Sequence, residues 1–163
     1  MIETERLTLR RFREADRGTV AAWNADPDFT RHLAGVLSRE QSDEAFDRWA
    51  GHWAEHGFGL LAVEWRETGE LVGRVGPQFH RYWPADPEVG WAFDRGWWGR
   101  GIATEAGAAC VSWLFGELAF ARVVSITTEP NLASRNVMAK LGFTLHAVVD
   151  SEWGPLWVHA LDR

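Results

Sequence analysis

The chain has 163 residues and is short of several things at once. It has one cysteine, Cys110, which excludes an internal disulfide framework and any zinc cluster built from several thiolates. Cys110 falls on the apolar face of a predicted helix, where a free thiol is ordinarily packing material. Lys140 is the sole lysine among 17 Lys and Arg residues, and Tyr82 is the sole tyrosine. No apolar run approaches the roughly 20 residues that span a bilayer, and Met1 to Arg11 holds none long enough for a signal peptide. A cytoplasmic chain with no membrane partner is therefore expected. An excess of positive charge is missing too: the net charge is −6 at pH 7. Binding a polyanion by counterion release needs a basic face, so no nucleic-acid partner is expected. No His and carboxylate spacing suggests a metal site.

What is present is apolar and aromatic. With 46% hydrophobic residues the chain can build one sizeable core, and no linker, repeat or low-complexity tract divides it, so residues 1–163 read as a single domain. Eleven tryptophans can fill a core or line an apolar ligand site; most are expected in the core. Arg6 to Arg10 reads as a short strand with Leu7 and Leu9 on one side, and Glu14 to Asn24 as a helix ended by the turn residues around Pro27. Ser38 with Gln41 three residues on is a capping-box signal, and Phe46, Trp49, Ala50 and Trp53 then recur at helical spacing until Gly57. Phe58 to Trp65 and Leu71 to His80 read as a hairpin about Glu67-Thr68-Gly69-Glu70, and Glu88 to Phe93 as a further strand. After a glycine-rich connection, Ile102, Ala106, Cys110, Trp113 and Leu114 mark one face of a helix. Arg122 to Thr128 is a β-branched strand, Leu132 to Leu141 a helix ended by Gly142, and Phe143 to Val149 with Leu156 to Leu161 are closing strands. The sum is an α/β (α+β) domain with most strand pairs antiparallel.

The connection Trp98-Gly99-Arg100-Gly101-Ile102-Ala103-Thr104 places two glycines where a strand ends and a helix begins. A helix start leaves about four N–H donors unpaired and carries the positive end of the dipole, which suits a phosphate or pyrophosphate. Taken alone, glycines before a helix are as readily a plain turn. No Gly-Lys-Ser or Gly-Lys-Thr exists in the chain, so a Walker loop is excluded. The dinucleotide fingerprint fails as well, because Gly99-Arg100-Gly101 is followed by Thr104 where a small residue is needed.

These residues resemble the GNAT superfamily of N-acetyltransferases, and within it the RimJ and RimL type of ribosomal-protein N-terminal acetyltransferases. The resemblance begins at Glu5-Arg6-Leu7-Thr8-Leu9-Arg10 and continues at Glu88-Val89-Gly90-Trp91. It is strongest at Trp98 to Ala106 and at Asn131-Leu132-Ala133-Ser134-Arg135-Asn136, followed by Leu141-Gly142-Phe143. It implies a central, mixed, mostly antiparallel V-splayed sheet flanked by about four helices. It also implies acetyl-CoA as co-substrate, lying in the splay between the fourth and fifth strands of the family's core. The backbone at Trp91, Ala92 and Phe93 would pair with the pantetheine like an added strand, and Trp98, Gly99, Arg100, Gly101, Ile102, Ala103 and Thr104 would cradle the pyrophosphate. Asn131 resembles the family's cofactor-contacting asparagine, and Asn136 and Lys140 are plausible contacts to the far end of the cofactor. Trp98 stands where the family usually has Gln or Arg.

The implied activity is acetyl transfer to a primary amine, either a protein N-terminus or a small molecule, by direct attack on the thioester. Such a reaction needs a neutral amine, a stabilised oxyanion and a proton for the leaving thiolate. Deprotonating a lysine-like amine at pH 7 costs roughly 4 to 5 kcal/mol, an α-amine only about 1. Glu88 occupies the strand that carries the catalytic glutamate in histone-acetylating members and is the candidate base; a solvated or salt-bridged side chain is the plain alternative. Many members place a tyrosine acid seven residues after the motif asparagine, where this chain has Met138. Ser134 is the substitute candidate, or else simply hydrogen-bonds near its helix start. Trp23, His32, Asp150, Glu152 and Trp153 are candidates on the acceptor side, since carboxylates beside aromatics suit a cationic amine. The missing tyrosine also motivates a second reading, a non-catalytic acyl-CoA-binding regulator. A homodimer would be ordinary for such a domain.

Overall fold

The computed structural model describes residues 1–33 and 35–163. Its strands are β1 (Ile2–Glu3), β2 (Leu7–Arg10), β3 (Leu61–Trp65), β4 (Glu70–His80), β5 (Trp83–Phe93), β6 (Arg122–Thr128), β7 (Thr144–Val149) and β8 (Leu156–Asp162). Its helices are α1 (Arg17–Ala25), α2 (Pro27–Thr30), α3 (Arg39–His56), α4 (Ile102–Gly116) and α5 (Leu132–Leu141). The strands form one sheet in the order β1-β2-β3-β4-β5-β6-β8-β7. Every neighbouring pair is antiparallel except β5 and β6, which run parallel and pair only at Glu88 with Val124. Beyond that rung the two strands part, so the sheet is splayed at its centre.

Local chemistry sets the element ends. The Ser38 hydroxyl accepts from the Gln41 backbone N–H (3.2 Å) while the Gln41 side chain accepts from the Ser38 N–H (2.9 Å), and Gly57 closes α3 at φ 74°. Helix α5 is capped by Asn131 and ended by Gly142 at φ 89°, a left-handed conformation that favours glycine. Helix α2 and the first half of β5 differ from the sequence reading. Pro27 sits at the first position of α2, its missing N–H harmless there, with Asp26 accepting from the Asp28 N–H (2.8 Å). The expected strands stop at His80 and resume at Glu88, but the backbone from Trp83 is already strand, through Pro84 and Pro87, and turns back on β4 from His80.

One face of the sheet packs Leu7, Leu9, Val63, Val75, Val89 and Phe93 against Ile102, Ala106, Cys110 and Leu114 of α4. A Cβ on Gly107 would lie 2.8 Å from Leu141, so glycine there lets α4 and α5 approach closely. The opposite face is covered by α1 to α3 through Val20, Trp23, Phe29 and Phe46, with Ala92 of β5 against them. Cys110 is fully buried, and burial pushes its thiol far above the ordinary range, in keeping with a packing role. No helix among the described residues is long and apolar enough to cross a membrane.

Candidate active site

The parting of β5 from β6 opens a cleft of about 550 Å³. One wall is Gly90, Trp91, Ala92 and Phe93, the part of β5 that has left β6; the other is Ser125, Ile126 and Thr127 of β6. Along this wall β5 has no ladder partner on its β6 side, so an extended, amide-bearing chain can add to it. At one end of the cleft stand the N-termini of α4 and α5, the helices that follow these two strands.

Helix α4 starts without a side-chain cap: its N-cap is Gly101 at φ 77°, preceded by Gly99 at φ 74°. The first-turn N–H groups of α4, with Gly99, Gly101, Ile102, Ala103 and Thr104 lining the cleft, form a concave set of donors at the positive end of the helix. The loop is braced from behind. Glu105 accepts from the Thr4 hydroxyl (2.6 Å), the Arg6 backbone N–H (3.0 Å) and Arg6 Nε (2.7 Å), while Arg6 Nη1 donates to the Arg100 carbonyl (3.0 Å). At α5 the cap is filled: Asn131 Oδ1 accepts from the Ser134 N–H (3.2 Å), leaving the Asn131 amide group and the Ser134 hydroxyl beside the cleft.

Glu88 sits at the last paired rung before the splay. It shares a strand face with Gly90 and Ala92, and its side chain stands opposite Gln78 of β4. It is 7% exposed, and its Oε2 is buried without a hydrogen-bond partner among the described residues. Burial raises its carboxyl from the ordinary 4.5 to about 7, against the pull of the Gln78 side chain, the Ile126 backbone and the Arg74 charge. A carboxyl poised near neutrality, in a cleft, has the properties of a general base.

The cleft gathers Glu88, Trp91, Ala92, Phe93, Trp98, Gly99, Gly101, Ile102, Ala103, Thr104, Asn131, Ser134 and Asn136, and it reaches Lys140 and His32. Trp98 is held by its indole N–H donating to the Phe93 carbonyl (2.7 Å). Arg100 does not line the cleft: its guanidinium lies over the Trp97 ring at 4.8 Å, so its backbone shapes the loop and its charge faces outward. Met138 is buried in the core. Among the acceptor-side expectations, Trp23 is core, stacked on Phe29 at 5.3 Å. Glu152 and Trp153 cluster with Arg81 and Tyr82 where the β4–β5 hairpin meets the β7–β8 loop, outside the cleft; Asp150 is outside it too. The sequence reading missed Arg74, Gln78, Ser125 and Thr127. Their signal was there: Arg74 and Gln78 are polar residues at even spacing on an otherwise apolar strand. No cluster of three or more potential metal ligands occurs among the described residues.

Comparison with known proteins agrees with this geometry. The GNAT acetyltransferase domain profile matches residues 6–144. The chain is 31% identical to YkkB of Bacillus subtilis over 143 residues, covering 85% of this chain and 82% of that protein. A solved acetyltransferase from Agrobacterium tumefaciens has the same fold, with a TM-score of 0.90 at 29% identity, covering 99% of this chain and 94% of that one. RimL, a ribosomal alpha-N-protein acetyltransferase solved with coenzyme A, shares the fold at 17% identity and a TM-score of 0.81, covering 98% and 95%. An aminoglycoside acetyltransferase solved with coenzyme A and kanamycin does so at 18% and 0.81, covering 96% and 95%. The chain belongs to the GNAT family of N-acetyltransferases, which use acetyl-CoA as co-substrate.

Proposed function

We propose that residues 1–163 act as one cytoplasmic catalytic domain that moves an acetyl group from acetyl-CoA to a primary amine, with Glu88 as the base. The observation that carries this reading is the place of Glu88: a buried carboxyl near pKa 7, on the rung where β5 and β6 part, in the cleft that holds the uncapped start of α4. Acetyl-CoA supplies the thioester whose acetyl group is transferred. The N–H groups of Gly99 to Thr104 bind its pyrophosphate, and the free edge from Trp91 to Phe93 orients its amide-bearing arm. Asn131 and Asn136 flank it from α5. Glu88, directly or through water, takes the proton that the amine loses as its nitrogen bonds the carbonyl carbon. Ser134 Oγ–H, directly or through water, gives a proton to the thiolate as the C–S bond breaks and regains one from solvent, to which Glu88 releases the proton it took. Two fold neighbours, an alpha-N-protein acetyltransferase of ribosomal L7/L12 and an aminoglycoside acetyltransferase solved with kanamycin, support an amine acceptor that is either an α-amine or a small molecule.

The test is the pH dependence of thiol release from acetyl-CoA with an accepted amine. The wild-type rate should rise with pH through about 7, where Glu88 ionises. Glu88→Gln should lower kcat by roughly 10²-fold or more and remove that limb. A variant with an unchanged rate and an unchanged limb would remove Glu88 from the chemistry.

A further inference from the structure

Arg74 lines the cleft, and the acetyl-transfer chemistry leaves its charge unused. On β4 it stands opposite Ala92, on the strand face shared by Gln78 and Glu88, and it lines the cleft beside Asp28, Phe29 and His32 of the α2 region. The indole of Trp49, on α3, covers one side of its guanidinium, 4.6 Å from the ring centroid. No carboxylate among the described residues pairs with it. Glu88 is the charged group that acts on it, and burial outweighs that attraction, lowering the guanidinium to about 10 while leaving it cationic at neutral pH. The other acidic residue of the cleft, Asp28, is already taken by Arg31 and by Arg95 (2.5 Å).

Arg6, Arg10, Arg17, Arg39 and Arg122 all lie on carboxylates. Arg135, also half-buried and stacked on Trp157 (4.6 Å), has no carboxylate either but donates to the Glu129 carbonyl (3.0 Å), whereas Arg74 has neither kind of acceptor among the described residues. Removing a cation from water is unfavourable unless an anion compensates it, and the cleft is where that anion can arrive. A planar fork with one face stacked leaves its N–H edge for a planar, singly charged acceptor of two hydrogen bonds. A carboxylate matches that edge and that charge; a phosphate dianion would face one cation and the nearby Glu88.

We propose that Arg74 binds a carboxylate on the acceptor, so that the amines acetylated here are amino acids or other small amines bearing a carboxylate. The proposal rests on the acetyl-transfer reading and names its substrate class. Gln78 is opposite Glu88 and Arg74 is four residues along the same strand, roughly 13 Å at about 3.3 Å per residue before either side chain reaches inward. An acceptor whose carboxylate pairs with Arg74 therefore lies along the β4–β5 face, with its amine towards Glu88.

The experiment measures thiol release from acetyl-CoA for the twenty amino acids and their C-terminal amides, in wild type, Arg74→Gln and Arg74→Lys. For accepted pairs the wild type should favour the free acid over the amide by about 10- to 100-fold in kcat/KM, the range expected of a charge-assisted pair. Arg74→Gln should bring that ratio near one by raising KM for the acid, and Arg74→Lys should restore part of it. If Arg74 merely tuned Glu88, acid and amide would lose rate together with a shifted pH profile, which overturns the proposal. Amides preferred by wild type, or a panel in which no free acid is accepted, also overturn it. Acetyl-CoA raising the melting temperature in each variant confirms folding and separates these results from failure of the acetyl-transfer reading, in which no acetyl-CoA binding would be seen.

Discussion

Glu88, the proposed base, is buried and titrates near neutrality, so its ionisation also bears on stability. Its folded-state pKa is raised from 4.5 to about 7, so between those values the folded chain holds a proton that the unfolded chain releases. The contribution is therefore most favourable below pH 4.5 and is lost as the pH rises through 7. Glu88→Gln, which cannot ionise, should be more stable than wild type at pH 8 by on the order of 3 kcal/mol and indistinguishable from it near pH 4.5. Thermal unfolding of both proteins at the two pH values checks this. Ser134 is the second test at this scale. Its hydroxyl lines the cleft while its backbone N–H is held by Asn131, so Ser134→Ala should slow turnover several-fold without changing the melting temperature. Equal turnover would reduce Ser134 to its backbone role. Glu88 and Ser134 could be named from sequence because they sit inside recognisable blocks. Arg74 was marked only as a polar residue on a largely apolar strand, because a guanidinium there reads the same whether or not a carboxylate faces it, and the approach of Trp49 is decided by the packing of α3.

Among the elements, the uncapped start of α4 is the proposed binding device, and Glu105 braces it. The carboxylate is partly desolvated, which opposes ionisation, but Thr4 and Arg6 hold its pKa below the ordinary value. Glu105→Ala should free the Arg6 side chain, loosen the Gly99–Thr104 loop and weaken acetyl-CoA binding about tenfold, read by calorimetric titration. Gly101→Val should weaken it further, because a β-branched residue at φ 77° is strained and adds bulk beside the donors. Helices were the legible elements. The Ser38 capping box and the glycines at 57 and 142 mark their ends by chemistry that operates within a few residues. The first half of β5 was not legible, since Pro84 and Pro87 argue locally for a loop and pairing with β4 overrides them. The splay itself has no local signal; it follows from which strands pair and how far.

At the scale of the whole molecule, two halves of one sheet are joined at a single parallel rung, and the proposed site lies in the gap. The N-terminal half is pinned by Arg10, which donates to Asp16 (2.7 and 2.9 Å) and to Glu64 (2.7 Å). Burial alone would raise the Asp16 pKa, but Arg10 and the Arg13 N–H hold it below 3.8. That stability is present above pH 4 and is lost as the pH falls through the lower folded-state value, so Asp16→Asn should lower the melting temperature at pH 7 and flatten its decline in acid. The order of the two motif blocks made this architecture legible, because a glycine loop and an asparagine cap about 30 residues apart place two helix starts at the ends of neighbouring strands.

The central claim is that the gap between β5 and β6 is an acetyl-CoA site, and it is tested most directly by thermal unfolding with and without acetyl-CoA, which needs no acceptor. At 100 times its Kd the co-substrate should add about 2.7 kcal/mol, raising the melting temperature by roughly 5 to 10 °C, and the rise should be largely lost in Gly101→Val. An unchanged melting temperature at millimolar acetyl-CoA would contradict it.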